Sequence, residues 1–439
     1  MTRPDKGFTP SRRSLLTGGA AALGGASLAQ AATEPAQNPA TAPESDATAQ
    51  RQPFHGVHQS GIATPRPATG LIAAFDVTAT SLDELERLLR LLTERIAFLM
   101  QGGPAPTADP GFPPPDSGIL GPVIAPDNLT VTVALGASLF DERFSLGPLK
   151  PKHLQRMKRF RNDALDGALC HGDLLLQFCA NTADTNIHAL RDILKNAPDL
   201  ILLRWKQEGT VPVRQSKPGE PAESARNLLG FRDGTANPDA TDQALMDHLV
   251  WVRPGSGEPE WAHDGSYQAV RIIRNFVERW DRTPLGEQEA IMGREKASGA
   301  PFGGRREYDE PAYADDPEGK RTKLDAHIRL ANPRRPETEG SRMLRRPFNY
   351  SNGVTRAGQL DMGLLFICFQ QDLERSFIAV QKRLDGEPLE EYIKPVGGGY
   401  FFALPGVPDA ASHLGAGLIA AARGIAPASV STSPRKTGD

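Results

Sequence analysis

Apolar positions divide the chain into two stretches of like design. In the first, residues 71–77 form a short apolar run, the mark of a strand. Ser81, with Glu84 three residues on, signals a helix start through a capping box. Leu85, Leu88, Leu89, Leu92, Ile96 and Leu99 then keep helical spacing to about Met100. A Pro/Gly-rich loop over 102–126 leads to strands at 129–135 and 173–179. Residues 184–195 read as a helix and 200–206 as a strand. The order β-α-β-β-α-β is that of a ferredoxin-like unit, with helices on one face of an antiparallel sheet.

A Pro/Gly/Glu/Ser-rich boundary over 208–225 precedes the second stretch. Residues 267–277 predict a long strand, and Thr283-Pro284 an N-cap followed by proline at the first helical position. Residues 343–350 and 362–370 predict two strands joined across 351–358. Residues 373–384 read as a helix and 400–404 as a strand. The same β-α-β-β-α-β order results, with a long insertion between Gly293 and Arg342. Insertions of that length in compact domains are usually functional. The expected class is therefore α+β, built from two ferredoxin-like domains at 54–215 and 226–425.

The N-terminus is an address. Ser11-Arg12-Arg13-Ser14-Leu15-Leu16 is a twin-arginine pattern, followed by a Gly/Ala-rich apolar stretch and the small-x-small site Ala29-Gln30-Ala31. Residues 1–31 are thus expected to be a signal peptide, 32–53 a disordered linker and 426–439 a tail. The expected destination is the periplasm, reached in the folded state. No other run is long and apolar enough to span a membrane, so none is expected in the mature chain.

The 439 residues, 39% apolar and 23% charged, are enough for two or three packed domains. A net charge of −3 excludes the basic field of a nucleic-acid binder. Three cysteines do not make a disulfide scaffold. Cys170 and Cys179 flank one expected strand, too far apart to bridge, and Cys368 lies in an apolar strand; all three read as buried thiols. Walker, HExxH, GxSxG and paired CxxC motifs are missing, and Gly415-Ala416-Gly417 does not open a βαβ unit. Without C-x-x-C-H, no covalent haem attachment of that kind is expected.

Three segments carry candidate chemistry. Gly230-Phe231-Arg232-Asp233-Gly234-Thr235-Ala236-Asn237-Pro238 sets a carboxylate among glycines that permit close approach to a flat ligand. Taken alone, Asp233 reads equally as the cap of an Asx-turn. His327 lies in Asp325-Ala326-His327-Ile328-Arg329-Leu330-Ala331-Asn332-Pro333-Arg334, inside the insertion; alone it reads as a structural histidine. Arg345 and Arg346 share a strand-like segment, where one is expected to be solvated and one salt-bridged. Together a metal-binding imidazole, a carboxylate and an arginine suit a haem peroxide site. The imidazole holds iron, the carboxylate moves a proton between the peroxide oxygens, and the guanidinium stabilises developing charge.

These segments resemble the dye-decolourising peroxidase family, whose distal signature is G-x-x-D-G. Segments 54–65, 266–304, 316–334, 358–370 and 381–406 are similar to its exported deferrochelatase/peroxidase branch, which works with a periplasmic iron-uptake system. The resemblance implies His327 as proximal ligand to haem iron, Asp233 as distal acid/base and Arg345 as distal arginine. It implies haem contacts at Gly234, Thr235, Ala236, Asn332, Pro333 and Arg334. The implied cofactor is non-covalent haem b, held in the C-terminal domain. Asp361 is the expected acceptor for the second imidazole nitrogen. Pro347 stands where the family pattern has glycine. The implied activity is a peroxidase using hydrogen peroxide and an organic reductant. The alternatives are a deferrochelatase that takes iron from haem and leaves the porphyrin intact, or a non-enzymatic haem or iron-uptake accessory protein. The oligomeric state is left open, a homodimer included. Trp205, Trp251, Trp261 and Trp280 read as core.

Overall fold

The computed structural model describes residues 47–212 and 223–425. The expected signal peptide, most of the expected linker and the tail lie outside the described residues. Residues 47–52 are already anchored: the Asp127 amide donates to Thr48 at 2.7 Å, and the Asn128 amide to Gln50 at 2.7 Å. Ordered chain therefore begins before Phe54.

The first half follows the expected pattern closely. Strand β1 (Thr69–Val77) leads into helix α1 (Leu82–Gln101). The Ser81 hydroxyl caps the helix by accepting from the Glu84 amide at 3.2 Å. Glu84 does not complete the box; its carboxylate accepts from the Thr80 amide at 2.7 Å. Strands β2 (Thr130–Gly136) and β3 (Leu174–Ala180), helix α2 (Ala183–Asn196) and strand β4 (Ile201–Thr210) follow. Their sheet order is β4-β1-β3-β2, all antiparallel.

The second half repeats the plan. Strands β5 (Ser266–Asn275), β6 (Phe348–Val354), β7 (Leu360–Gln370) and β8 (Ile393–Ala403) lie in the order β6-β7-β5-β8. The expected strand at 343–350 keeps one register along β7, from Phe348 opposite Leu365 to Arg345 opposite Cys368. Its ladder lapses only near Pro347, which has no N–H to give. Pro284, not Thr283, takes the N-cap position of the helix Leu285–Met292. The Thr283 hydroxyl is engaged elsewhere, with the Arg279 carbonyl at 3.2 Å and the Tyr392 hydroxyl at 3.1 Å. The expected helix at 373–384 opens with a π-turn, Glu374–Ile378, before Ala379–Leu384.

The two sheets join. Strand β8 pairs with β2 through Phe401–Ala403, and β4 meets β6 at Thr210 and Asn349. With β5 paired to both β7 and β8, the eight strands close on themselves. Closure leaves no open edge. Strands β1, β2 and β3 then alternate between two buried faces, whereas the outward face of β4 is exposed at Leu202, Arg204, Lys206 and Glu208. Leu71, Ala73 and Phe75 pack outward under α1 and α2. Ile72 and Ala74 point inward with Cys179, Val270, Leu365 and Phe401. Gly398 permits one tight passage in β8: its φ is +118°, and a Cβ there would lie 2.0 Å from the Val270 carbonyl oxygen. All three cysteines are buried and unbridged.

Candidate active site

One cavity lies against the outer face of the C-terminal sheet. Ile273 of β5, Leu364 and Phe366 of β7 and Pro395 of β8 form its floor. Asp233, Gly234, Thr235, Ala236, His327, Asn332, Arg334 and Arg345 all line it; Pro333 does not. Asp233 and Arg345, 112 residues apart in the chain, are thus brought to one space.

His327 begins the short helix α3 (His327–Ala331) inside the long insertion. Five residues cannot hold a helix by themselves, and neighbouring side chains clamp this one. Arg329 donates to the Thr322 carbonyl at 2.6 Å and the Asp316 carbonyl at 2.7 Å, and lies over the Tyr313 ring. Arg383 caps the far end, donating to the Leu330 and Ala331 carbonyls, each at 3.1 Å. Gly293, at φ +87°, ends the preceding helix against this turn; a Cβ there would press on Ile328 and Ala326.

The imidazole is held by a carboxylate. His327 Nδ1 donates to Glu387 Oε2 at 2.7 Å, and the Glu387 side chain is 4% exposed. Burial works against the imidazolium, but Glu387 more than offsets it and raises the ring's pKa above the ordinary value. The partner expected for this nitrogen, Asp361, does not line the cavity. It stands at the start of β7, where its charge acts on Tyr350. The turn after the helix Ala379–Leu384 brings Glu387 to the ring instead, a tertiary event with no local sequence signal.

A second ion pair stands in the same cavity. Arg345 Nη1 donates to Asp233 Oδ1 at 2.7 Å. Asn237 fixes the arginine's backbone in both directions: its Nδ2 donates to the Arg345 carbonyl at 3.0 Å, and its Oδ1 accepts from the Arg345 amide at 2.8 Å. The Asp233 amide donates to the Ala225 carbonyl at 2.8 Å, and Thr235 donates to Glu307 at 2.8 Å. Pro347 leaves the Arg345–Asp233 contact intact. Sequence reasoning missed the roles of Glu387, Asn237 and Arg383; Asn237 lay within a segment singled out for its chemistry, and Arg383 and Glu387 lay in 381–406, which had carried only the resemblance.

The donor set fits haem iron better than a bare ion. Among the described residues no group of three or more His, Cys, Asp and Glu side chains could hold a metal. A single imidazole, with Nδ1 engaged and Nε2 left for a ligand bond, suits iron whose other ligands come from a macrocycle. Leu364, Phe366, Phe377 and Met292 give the apolar walls such a ring needs, and Arg334 and Arg342 supply cations for its acidic edge. Cys368 is no competitor. Its thiol is wholly buried, donates to Gln370 Oε1 at 3.2 Å and is pushed by burial far towards the protonated form.

Comparison with known proteins agrees with this geometry. The model described as "Dyp-type peroxidase, N-terminal" matches residues 59–210, and "Dyp-type peroxidase, C-terminal" matches residues 224–408. A protein of Shigella sonnei (strain Ss046) named deferrochelatase is 59% identical over 412 residues, 93% of this chain and 97% of its own. One of Escherichia coli (strain K12) with the same name is 58% identical over the same coverage. Among solved structures, a DyP-type peroxidase from Cellulomonas bogoriensis superposes with a TM-score of 0.75 at 36% identity, covering 85% of this chain and 99% of that one. Ferric DtpA from Streptomyces lividans gives 0.77 at 33% identity, covering 87% and 100%.

Proposed function

This chain belongs to the Dyp-type peroxidase family of haem enzymes, and on that premise we propose that it takes iron out of haem with the porphyrin left intact, peroxide reduction being a second reaction of the same pocket. The observation that carries the reading is one cavity with two ion pairs, His327–Glu387 and Asp233–Arg345. The name of the 58–59% identical relatives supports iron release. The Asp233–Arg345 pair supports peroxide chemistry, for which a mere haem carrier has no use.

Haem b, held without covalent attachment, supplies the iron that is released or that passes electrons from an organic reductant to peroxide. The chain's own groups do the rest. His327 offers Nε2 as the protein ligand, while Glu387 keeps Nδ1 protonated and the ring oriented. Asp233 takes a proton from one peroxide oxygen and returns it to the other. Arg345 fixes Asp233 and presents a positive charge where negative charge develops. Gly234, Thr235 and Ala236 on one wall, and Asn332 and Arg334 on another, hold the ring.

Purified protein incubated with haem distinguishes the reactions by product: iron-free porphyrin by fluorescence, oxidised dye by absorbance with added peroxide. Both are expected from the wild type, and His327→Ala should lose both. Asp233→Asn should slow dye oxidation by about 10²–10⁴-fold and Arg345→Leu by about 10²–10³-fold. If no iron-free porphyrin forms under any condition, the iron-release reading falls and peroxidase activity remains. The Arg12-Arg13 segment supports export across the inner membrane in the folded state. Changing both to lysine should leave precursor in the cytoplasm; undiminished periplasmic protein would refute that route.

A further inference from the structure

Arg345 and Arg346 are neighbours on one strand, so their side chains leave opposite faces of the sheet. Arg345 faces the cavity and finds Asp233. Arg346 faces the interior of the closed barrel and is only 5% exposed. Neither expected fate, solvent or a salt bridge, applies to it. One of its nitrogens, Nη1, donates to the Thr64 carbonyl; among the described residues Nε and Nη2 are buried and make no hydrogen bond of ordinary geometry, the Cys179 sulfur being their near neighbour.

These two donors lie beside a set of the same kind. Cys179 and Thr130 are direct partners across β2 and β3, so they share the inner face. The guanidinium of Arg346 and the hydroxyl of Thr130 both bear on the Cys179 sulfur. Yet the Thr130 hydroxyl, at 1% exposure, makes no hydrogen bond of ordinary geometry. Arg66 adds further positive charge near that sulfur. Among the described residues Cys179 is the group that acts on Arg346, and no carboxylate does so. Complete burial holds that thiol in its neutral form. An arginine cannot give up its proton, and a buried cation without counter-charge is strongly disfavoured.

We propose that the barrel interior binds a small monovalent anion of halide size, held by Arg346 Nε and Nη2 with the Thr130 hydroxyl and the Cys179 thiol completing the shell. Every group assigned to the shell can donate, and the ion supplies the negative charge that the surrounding side chains lack. A water molecule could accept the same bonds but would leave the cation uncompensated. This site is separate from the haem cavity, on the other face of the sheet, and does not rest on the reading of that cavity.

Bromide is the probe. Crystals of the mature protein grown in bromide should show an anomalous peak within hydrogen-bonding distance of Arg346 Nε and Nη2; absence of a peak there would overturn the proposal. In solution, bromide added to halide-free protein should raise the wild-type Tm saturably, by roughly 2–4 °C. Arg346→Met, matched in length but uncharged, should lose that shift. Retention of the shift in Arg346→Met would refute the assignment. So would thiolate absorbance in the folded wild type that disappears in Cys179→Ser, because the counter-charge would then be internal.

Discussion

The two ring nitrogens of His327 are made unequal by Glu387. The carboxylate holds the Nδ1 proton and leaves Nε2 as the coordinating atom. In the haem-free protein it also raises the ring's pKa against the pull of burial. Removing its charge in Glu387→Gln keeps a hydrogen-bond acceptor but lets burial dominate, so the pKa should fall. Haem affinity, measured by titration, is expected to drop about 10–100-fold, as for other outer partners of metal-bound histidines. Affinity equal to wild type would mean that Glu387 only fills space. The sequence pointed to His327 through its place in the long insertion and through the resemblance of the segment 325–334, since alone it reads as a structural histidine. Glu387 was invisible because it is 60 residues away and reaches the ring through a turn.

At the scale of elements, the loop between β2 and β3 carries a pH-sensitive joint. His171 sits at φ +63°, and its amide donates to Gly398 of β8 at 2.9 Å. Its carbonyl accepts from Trp205 at 2.7 Å, and its Nε2 accepts from Arg156 at 3.2 Å. Burial first, then Arg156 and Arg204, push the ring's pKa down to about 4. The unfolded chain, with a histidine pKa near ~6.5, binds a proton that the folded chain refuses between those values. Stability is therefore full above about pH 6.5 and is lost as pH falls towards 4. His171→Asn, which tolerates the left-handed backbone, should flatten this acid limb in a series of melting curves. An unchanged limb would assign the acid sensitivity elsewhere. The helix α3 makes a related point: its existence depends on Arg329 and Arg383, so no periodicity in its five residues could announce it.

At the scale of the molecule, barrel closure couples the two halves. Gly398 passes so close to the Val270 carbonyl that Gly398→Ala forces β8 away from β5. The cost should be about 2–4 kcal/mol. By calorimetry the variant should melt at lower temperature, still in one transition, because β8 belongs to both the C-terminal ladder and the junction with β2. Two separated transitions would show that the halves unfold independently. Among the described residues no helix is long and apolar enough to cross a membrane.

What the sequence determined by itself was local or carried by motif. Apolar period placed β1, α1, β2, β3, α2 and β4, and the strand-like segment 343–350 marked Arg345 and Arg346 as residues in need of partners. The segments 230–238 and 325–334 brought Asp233 and His327 forward only when taken together and through their resemblance to a known family, because each residue alone reads equally as structural. Tertiary structure decided the rest. It chose Glu387 over Asp361 for the imidazole and set Asn237 against the backbone of Arg345. It also closed two ferredoxin-like sheets into one barrel, turning Arg346 from an expected surface or salt-bridged residue into a buried cation. These outcomes hang on which distant segments meet, and a one-dimensional pattern records a residue's own preferences but not its neighbours across the fold.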